Sequence, residues 1–84
     1  MTKKQKIFRK LLSGSKNVAF SELVLCVEAF GFKLSRISGS HHIYTHPEVL
    51  EIINLQEVDG KVKPYQIKQF LQIVERYNLQ MEDK

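Results

Sequence analysis

Phe32-Lys33-Leu34-Ser35-Arg36-Ile37-Ser38-Gly39-Ser40-His41-His42-Ile43-Tyr44-Thr45-His46-Pro47 is the stretch that decides the fold. Two β-rich runs flank Gly39-Ser40, a pair suited to a tight turn, so the segment predicts an antiparallel hairpin. The first run alternates Phe32, Leu34 and Arg36 against Lys33, Ser35 and Ile37. The second places His41 and Ile43 on one face and His42, Tyr44 and His46 on the other. Gly39 supplies the left-handed residue that such a turn needs. Pro47 closes the second strand. All three histidines of the chain fall between His41 and His46. Histidine moves protons near neutral pH, and beside basic residues it points to acid–base work on a charged substrate. A solvated surface strand is the plainer reading of the same cluster.

Outward from the hairpin, Ile52, Ile53, Leu55 and Val58 mark a third strand over about residues 51–58. Asp59-Gly60 turns the chain, and Lys61-Val62-Lys63 leads into a helix that Pro64 opens, its missing N–H costing nothing at the first position. Ile67, Phe70, Leu71, Ile73, Val74 and Tyr77 form that helix's apolar face. Upstream, Ser21 is placed to cap a helix, with Phe20 as a hydrophobic staple. Leu23, Val24, Val27 and Phe30 make its buried stripe, and Gly31 its stop. Before that, Ile7, Phe8, Leu11 and Leu12 share one helical face until Ser13-Gly14-Ser15. This basic segment is either a docked helix or a mobile arm. The order α-β-β-β-α predicts an α+β domain, a three-stranded antiparallel sheet with helices on one face, as in double-stranded RNA-binding domains. With no repeat or linker, residues 1–84 are expected to form one domain, with 1–15 as the basic segment and 20–79 as the core.

Charge supports an anionic partner. Residues 1–46 hold eight Lys/Arg and two Glu, net +6; residues 47–84 hold five Lys/Arg and seven Asp/Glu, net −2, which together give the +4 of the chain. The histidines therefore lie in the basic half, where counterion release would favour RNA or DNA. The single cysteine, Cys26, sits in an apolar helical pattern and is expected to be a buried, inert thiol of a reducing compartment. No run has signal-peptide or membrane-span length, so a cytoplasmic protein without a membrane partner is expected. A zinc site is not expected: His42 and His46 are roughly 13 Å apart along a strand, too far to share an ion at about 2 Å each.

Gly31-Phe32, Arg36, Gly39-Ser40-His41-His42-Ile43-Tyr44 and His46-Pro47 together resemble the HicA (YcfA-like) toxins, small mRNA interferases of toxin–antitoxin modules. The resemblance spans roughly Phe20 to Leu79. It implies a double-stranded-RNA-binding-like fold, metal-free and cofactor-free endoribonuclease activity on mRNA, and a HicB-type antitoxin as partner. Gly39 and Ser40 match the family's turn, His41 its catalytic histidine, and Tyr44 an aromatic or bulky position. Where short members carry Pro-x-His and a Gly-Thr-Leu-Arg-like helix start, this chain has Asn54-Leu55-Gln56-Glu57 and Gly60-Lys61-Val62-Lys63-Pro64-Tyr65-Gln66, as in a longer branch. On this reading His41 transfers the proton and His42 is the second choice. Lys33, Arg36, Lys61 and Lys63 are the candidate phosphate contacts. Tyr44 could stack on a base or pack in the core. A catalytically silent RNA-binding module and a protein-interaction domain are the alternatives.

Overall fold

The computed structural model describes residues 2–14 and 17–81, so Ser15 of the first predicted stop lies outside the described residues. The elements run α1 (Lys3–Leu12), α2 (Phe20–Ala29), β1 (Lys33–Ser38), β2 (His41–His46), β3 (Val49–Gln56) and α3 (Pro64–Arg76). The strands form an antiparallel sheet in the order β1-β2-β3. This is the expected α+β arrangement with one helix added at the front.

The basic N-terminal segment is docked. Thr2 caps α1 by accepting the Gln5 N–H at 3.2 Å, while Gln5 Oε1 accepts the Thr2 N–H at 3.0 Å. This capping box satisfies two amides that the first turn leaves without helical partners. Ile7 and Leu11 are buried in the common core, Phe8 meets Phe30 at 4.9 Å, and Lys10 pairs with Glu22 at 3.0 Å. Burial of Ile7 and Leu11 at ~1.5–3 kcal/mol each decides for a helix over a free arm. Leu12, expected on the same face, is exposed instead.

Helix α2 is capped two residues earlier than the Ser21 hydroxyl suggests. Ala19 is the N-cap, and the Glu22 carboxylate accepts the Ala19 N–H at 3.0 Å, leaving Ser21 exposed in the first turn. The carboxylate wins because Lys10 holds it in place. Leu23, Cys26 and Val27 are buried, and Gly31 ends the helix at φ 93°. Pro64 opens α3 as expected.

Both hairpin turns are two residues long, Gly39-Ser40 with Gly39 at φ 61°, and Pro47-Glu48. From sequence Pro47 marks only the end of β2, so β3 is expected later than it begins. The strand begins at Val49, two residues sooner, and ends at Gln56. Val58 instead pairs with Lys61 across Asp59 and Gly60, both left-handed at φ 53° and 75°.

Tyr44, Val49, Ile53 and Leu55 are buried on the face that the helices cover. Glu51, on the same face, bonds Arg76 and Tyr77 at the end of α3 and clasps helix to sheet. All six residues of β1 are exposed.

Candidate active site

The pleat sets the site, and one irregularity in β1 completes it. Cα partners in antiparallel strands point to the same face. Lys33 lies opposite Thr45, Leu34 opposite Tyr44, Arg36 opposite Ile43, Ile37 opposite His42 and Ser38 opposite His41, with a register shift between Leu34 and Arg36. Ser35 is thus an extra residue, a β-bulge. Strict alternation would group Arg36 with Leu34, on the helix side. The bulge turns it over, and Lys33, Arg36 and His41 share the open face.

The histidines separate accordingly. His41 faces solvent, where its Nδ1 lies 3.1 Å from Asn54 Oδ1. With Oδ1 as acceptor, Nδ1 carries the proton and Nε2 keeps a free lone pair. His42 faces the helices, its ring 4.9 Å from Phe20 and its Nδ1 3.3 Å from the Ser40 carbonyl. His46 packs on Phe32 at 5.0 Å, and its Nδ1 accepts the Glu48 N–H at 3.0 Å, bracing the Pro47-Glu48 turn. Among the described residues no group of three His, Cys, Asp or Glu is placed to hold a metal ion.

Tyr44 is only 2 % exposed, and its phenol is pushed up by burial and by the nearby Glu28. Its role is packing, so a base cannot reach the ring. Lys33 and Arg36 are exposed, and the only ion pairs among the described residues, Lys10–Glu22 and Arg76–Glu51, leave them free for an anion. Lys61 and Lys63 are likewise exposed, beyond β3. The Glu57 N–H reaches the Ser40 carbonyl at 3.5 Å, which sets their turn beside Gly39-Ser40.

Asn54, Ser38 and Gln56 also flank His41 on the open face and were not singled out from the sequence. A signal existed for Asn54. Counting a regular ladder outward from Pro47-Glu48 pairs it with His41. The actual partner is Ile43, because the register shifts by two between Tyr44 and His46. An even shift changes the neighbour and keeps the face. An open cavity of about 860 Å³ lies at the other end of the strands around Phe32, His46 and Glu48, away from His41.

Comparison with family models matches the family HicA toxin of bacterial toxin–antitoxin over residues 20–75, 56 of the 84. The chain belongs to the HicA toxin family. The match takes in α2, the whole sheet and nearly all of α3; α1 lies outside it. No curated protein and no solved structure matches the chain. Among the described residues no helix is long and apolar enough to cross a membrane.

Proposed function

We propose that this HicA-family chain is a metal-independent endoribonuclease, the toxin of a cytoplasmic toxin–antitoxin module, and that His41 carries the proton transfer. The observation behind this reading is the Asn54–His41 contact, which orients the ring and leaves Nε2 as a base. In the reaction Nε2 takes the proton of an RNA 2′-hydroxyl, and the 2′ oxygen attacks the adjacent phosphorus. The P–O5′ bond breaks, leaving a 2′,3′-cyclic phosphate. The departing 5′ oxygen takes a proton from the imidazolium or from water. General-base help of this kind is worth about 10²–10⁴-fold. Arg36, two residue pairs along from His41 on the same face, neutralises charge on the phosphorane, and Lys33 binds a neighbouring phosphate. Gly39 and Ser40 hold the turn against the backbone of the substrate, and Lys61 and Lys63 extend the cationic track. Asn54 acts through His41 as a positioning residue.

A HicB-type antitoxin fits the same face. Leu50, 94 % exposed, and Ile52 stand on it beyond Asn54, an apolar margin that a protein partner would cover together with His41.

The test is cleavage of a long mRNA by purified protein in EDTA, comparing wild type, His41→Ala and His42→Ala. Wild-type cleavage that His41→Ala abolishes supports the reading. Intact RNA with wild type would sink it. In that case the second reading stands, a silent RNA-binding module, for which the exposed Lys33 and Arg36 remain placed to meet phosphates.

A further inference from the structure

With Tyr44 withdrawn into the core, another residue must meet the bases if the face around His41 binds RNA. Of the eight aromatic side chains, seven are buried or half-buried. Phe8, Phe20, Phe30, Phe32 and Phe70 pack against one another or against the histidines, and Tyr77 is held by Glu51. Tyr65 alone is exposed, at 59 %, in the first turn of α3.

Its surroundings are cationic. Lys63 is the N-cap of α3 two residues before it, and Lys68 follows one turn later on the same helical face. Lys61 ends the preceding turn. All three lysines are exposed, and no acidic residue stands in the first turn of the helix. The nearest acids in sequence, Glu57 and Asp59, precede Lys61. Among the described residues none of the three lysines is in an ion pair.

Connectivity ties this patch to the histidine. His41 pairs with Gln56, Glu57 bonds Ser40, and Val58 and Lys61 exchange backbone bonds at 3.0 Å each. Tyr65 is four residue steps from Lys61, at most about 14 Å of chain. A strand of RNA whose phosphate lies at His41 can therefore reach Tyr65 within a few nucleotides.

We infer that Tyr65, with Lys61, Lys63 and Lys68 around it, is a stacking platform for one unpaired base of the RNA, next to the cleavage site. This rests on the proposed RNA-binding reading of the His41 face. It specifies that the segment at this subsite is single-stranded, because a base inside a duplex is already stacked on both faces by its neighbours. Sequence preference there would be weak, since every base has a π-face.

The experiment uses the full chain carrying His41→Ala, so that RNA survives the titration. A short fluorescein-labelled single-stranded RNA of mixed sequence is bound by the parent, by Tyr65→Ala and by Tyr65→Phe, with circular dichroism to verify folding. Tyr65→Ala should weaken binding about tenfold, within the range known for one stacked base. Tyr65→Phe should stay within about twofold, and a blunt duplex of the same sequence should show no dependence on residue 65. Equal binding by parent and Tyr65→Ala would overturn the platform alone and leave the RNA reading intact. An equal loss on the duplex would also overturn it, since contact with an unpaired base would not be the cause. No binding by any form, wild type included, would remove both.

Discussion

His41 Nδ1 and Asn54 Oδ1 lie 3.1 Å apart across the β2–β3 ladder, on the face of the sheet that no helix covers. The contact holds one ring nitrogen and leaves the other to face solvent, the arrangement a positioned base requires. Asn54→Ala should lower kcat by about 10- to 100-fold with KM nearly unchanged, as loss of orientation misplaces the reacting atom. Steady-state cleavage of a defined RNA separates the two constants. A fall confined to KM would assign Asn54 to binding instead.

The neighbouring histidines should fail in different ways. His41→Ala removes a solvent-facing ring and should abolish cleavage with the denaturation midpoint held. His42→Ala removes the ring that packs on Phe20, and such a pair contributes about 0.5–1.5 kcal/mol. Its urea midpoint should fall while some cleavage remains. Parallel unfolding curves and RNA gels read both.

Arg36 and Lys33 are expected to act as phosphate contacts. Arg36→Gln and Lys33→Gln should each weaken RNA binding at all sequences and reduce the salt slope by about one. Because Ser35 is the surplus residue, its deletion should leave Arg36 opposite Ile43 and the salt slope unaltered. A slope that drops on deleting Ser35 would show that the bulge residue does not simply loop out.

Acid should loosen the fold at two carboxylates. The Tyr77 hydroxyl and then Arg76 hold Glu51 below its ordinary value of 4.5, and the Ala19 amide and then Lys10 do the same for Glu22. A carboxyl lowered by folding stabilises above the unfolded value and loses that contribution as pH falls through the folded one. The urea midpoint should therefore be flat from neutrality to about the ordinary carboxylate range and drop below it. Glu51→Gln should shrink that drop. An unchanged acid limb would mean that the Glu51 clasp contributes nothing.

Cys26 is fully buried, and burial pushes its thiol up to about 12. A thiol reagent at pH 8 should modify it only as fast as the chain unfolds, so modification should accelerate with urea. Because the unfolded thiol ionises near 9 and the folded one does not, stability should decline as pH rises past that value. Rapid labelling in buffer alone would contradict a sealed core.

Much of this was legible in the chain. The Gly39-Ser40 turn, the limits of β2, the opening of α3 at Pro64 and the stop at Gly31 follow from local rules, because each depends on backbone preferences within a few residues. The grouping of His41 apart from His42 and His46 follows from the two-residue repeat of a strand. The family motif added His41 as the residue to test.

Tertiary structure decided the rest, since it depends on contacts between distant segments. Which face of β2 the helices cover determines whether His41 or His42 meets solvent, and the same choice took Tyr44 out of reach and left Tyr65 as the exposed ring. Docking of α1 depended on an apolar surface formed by α2 and α3. The bulge at Ser35 moved Arg36 onto the face of His41, and no alternation pattern within β1 records it, because a bulge exists only relative to the partner strand.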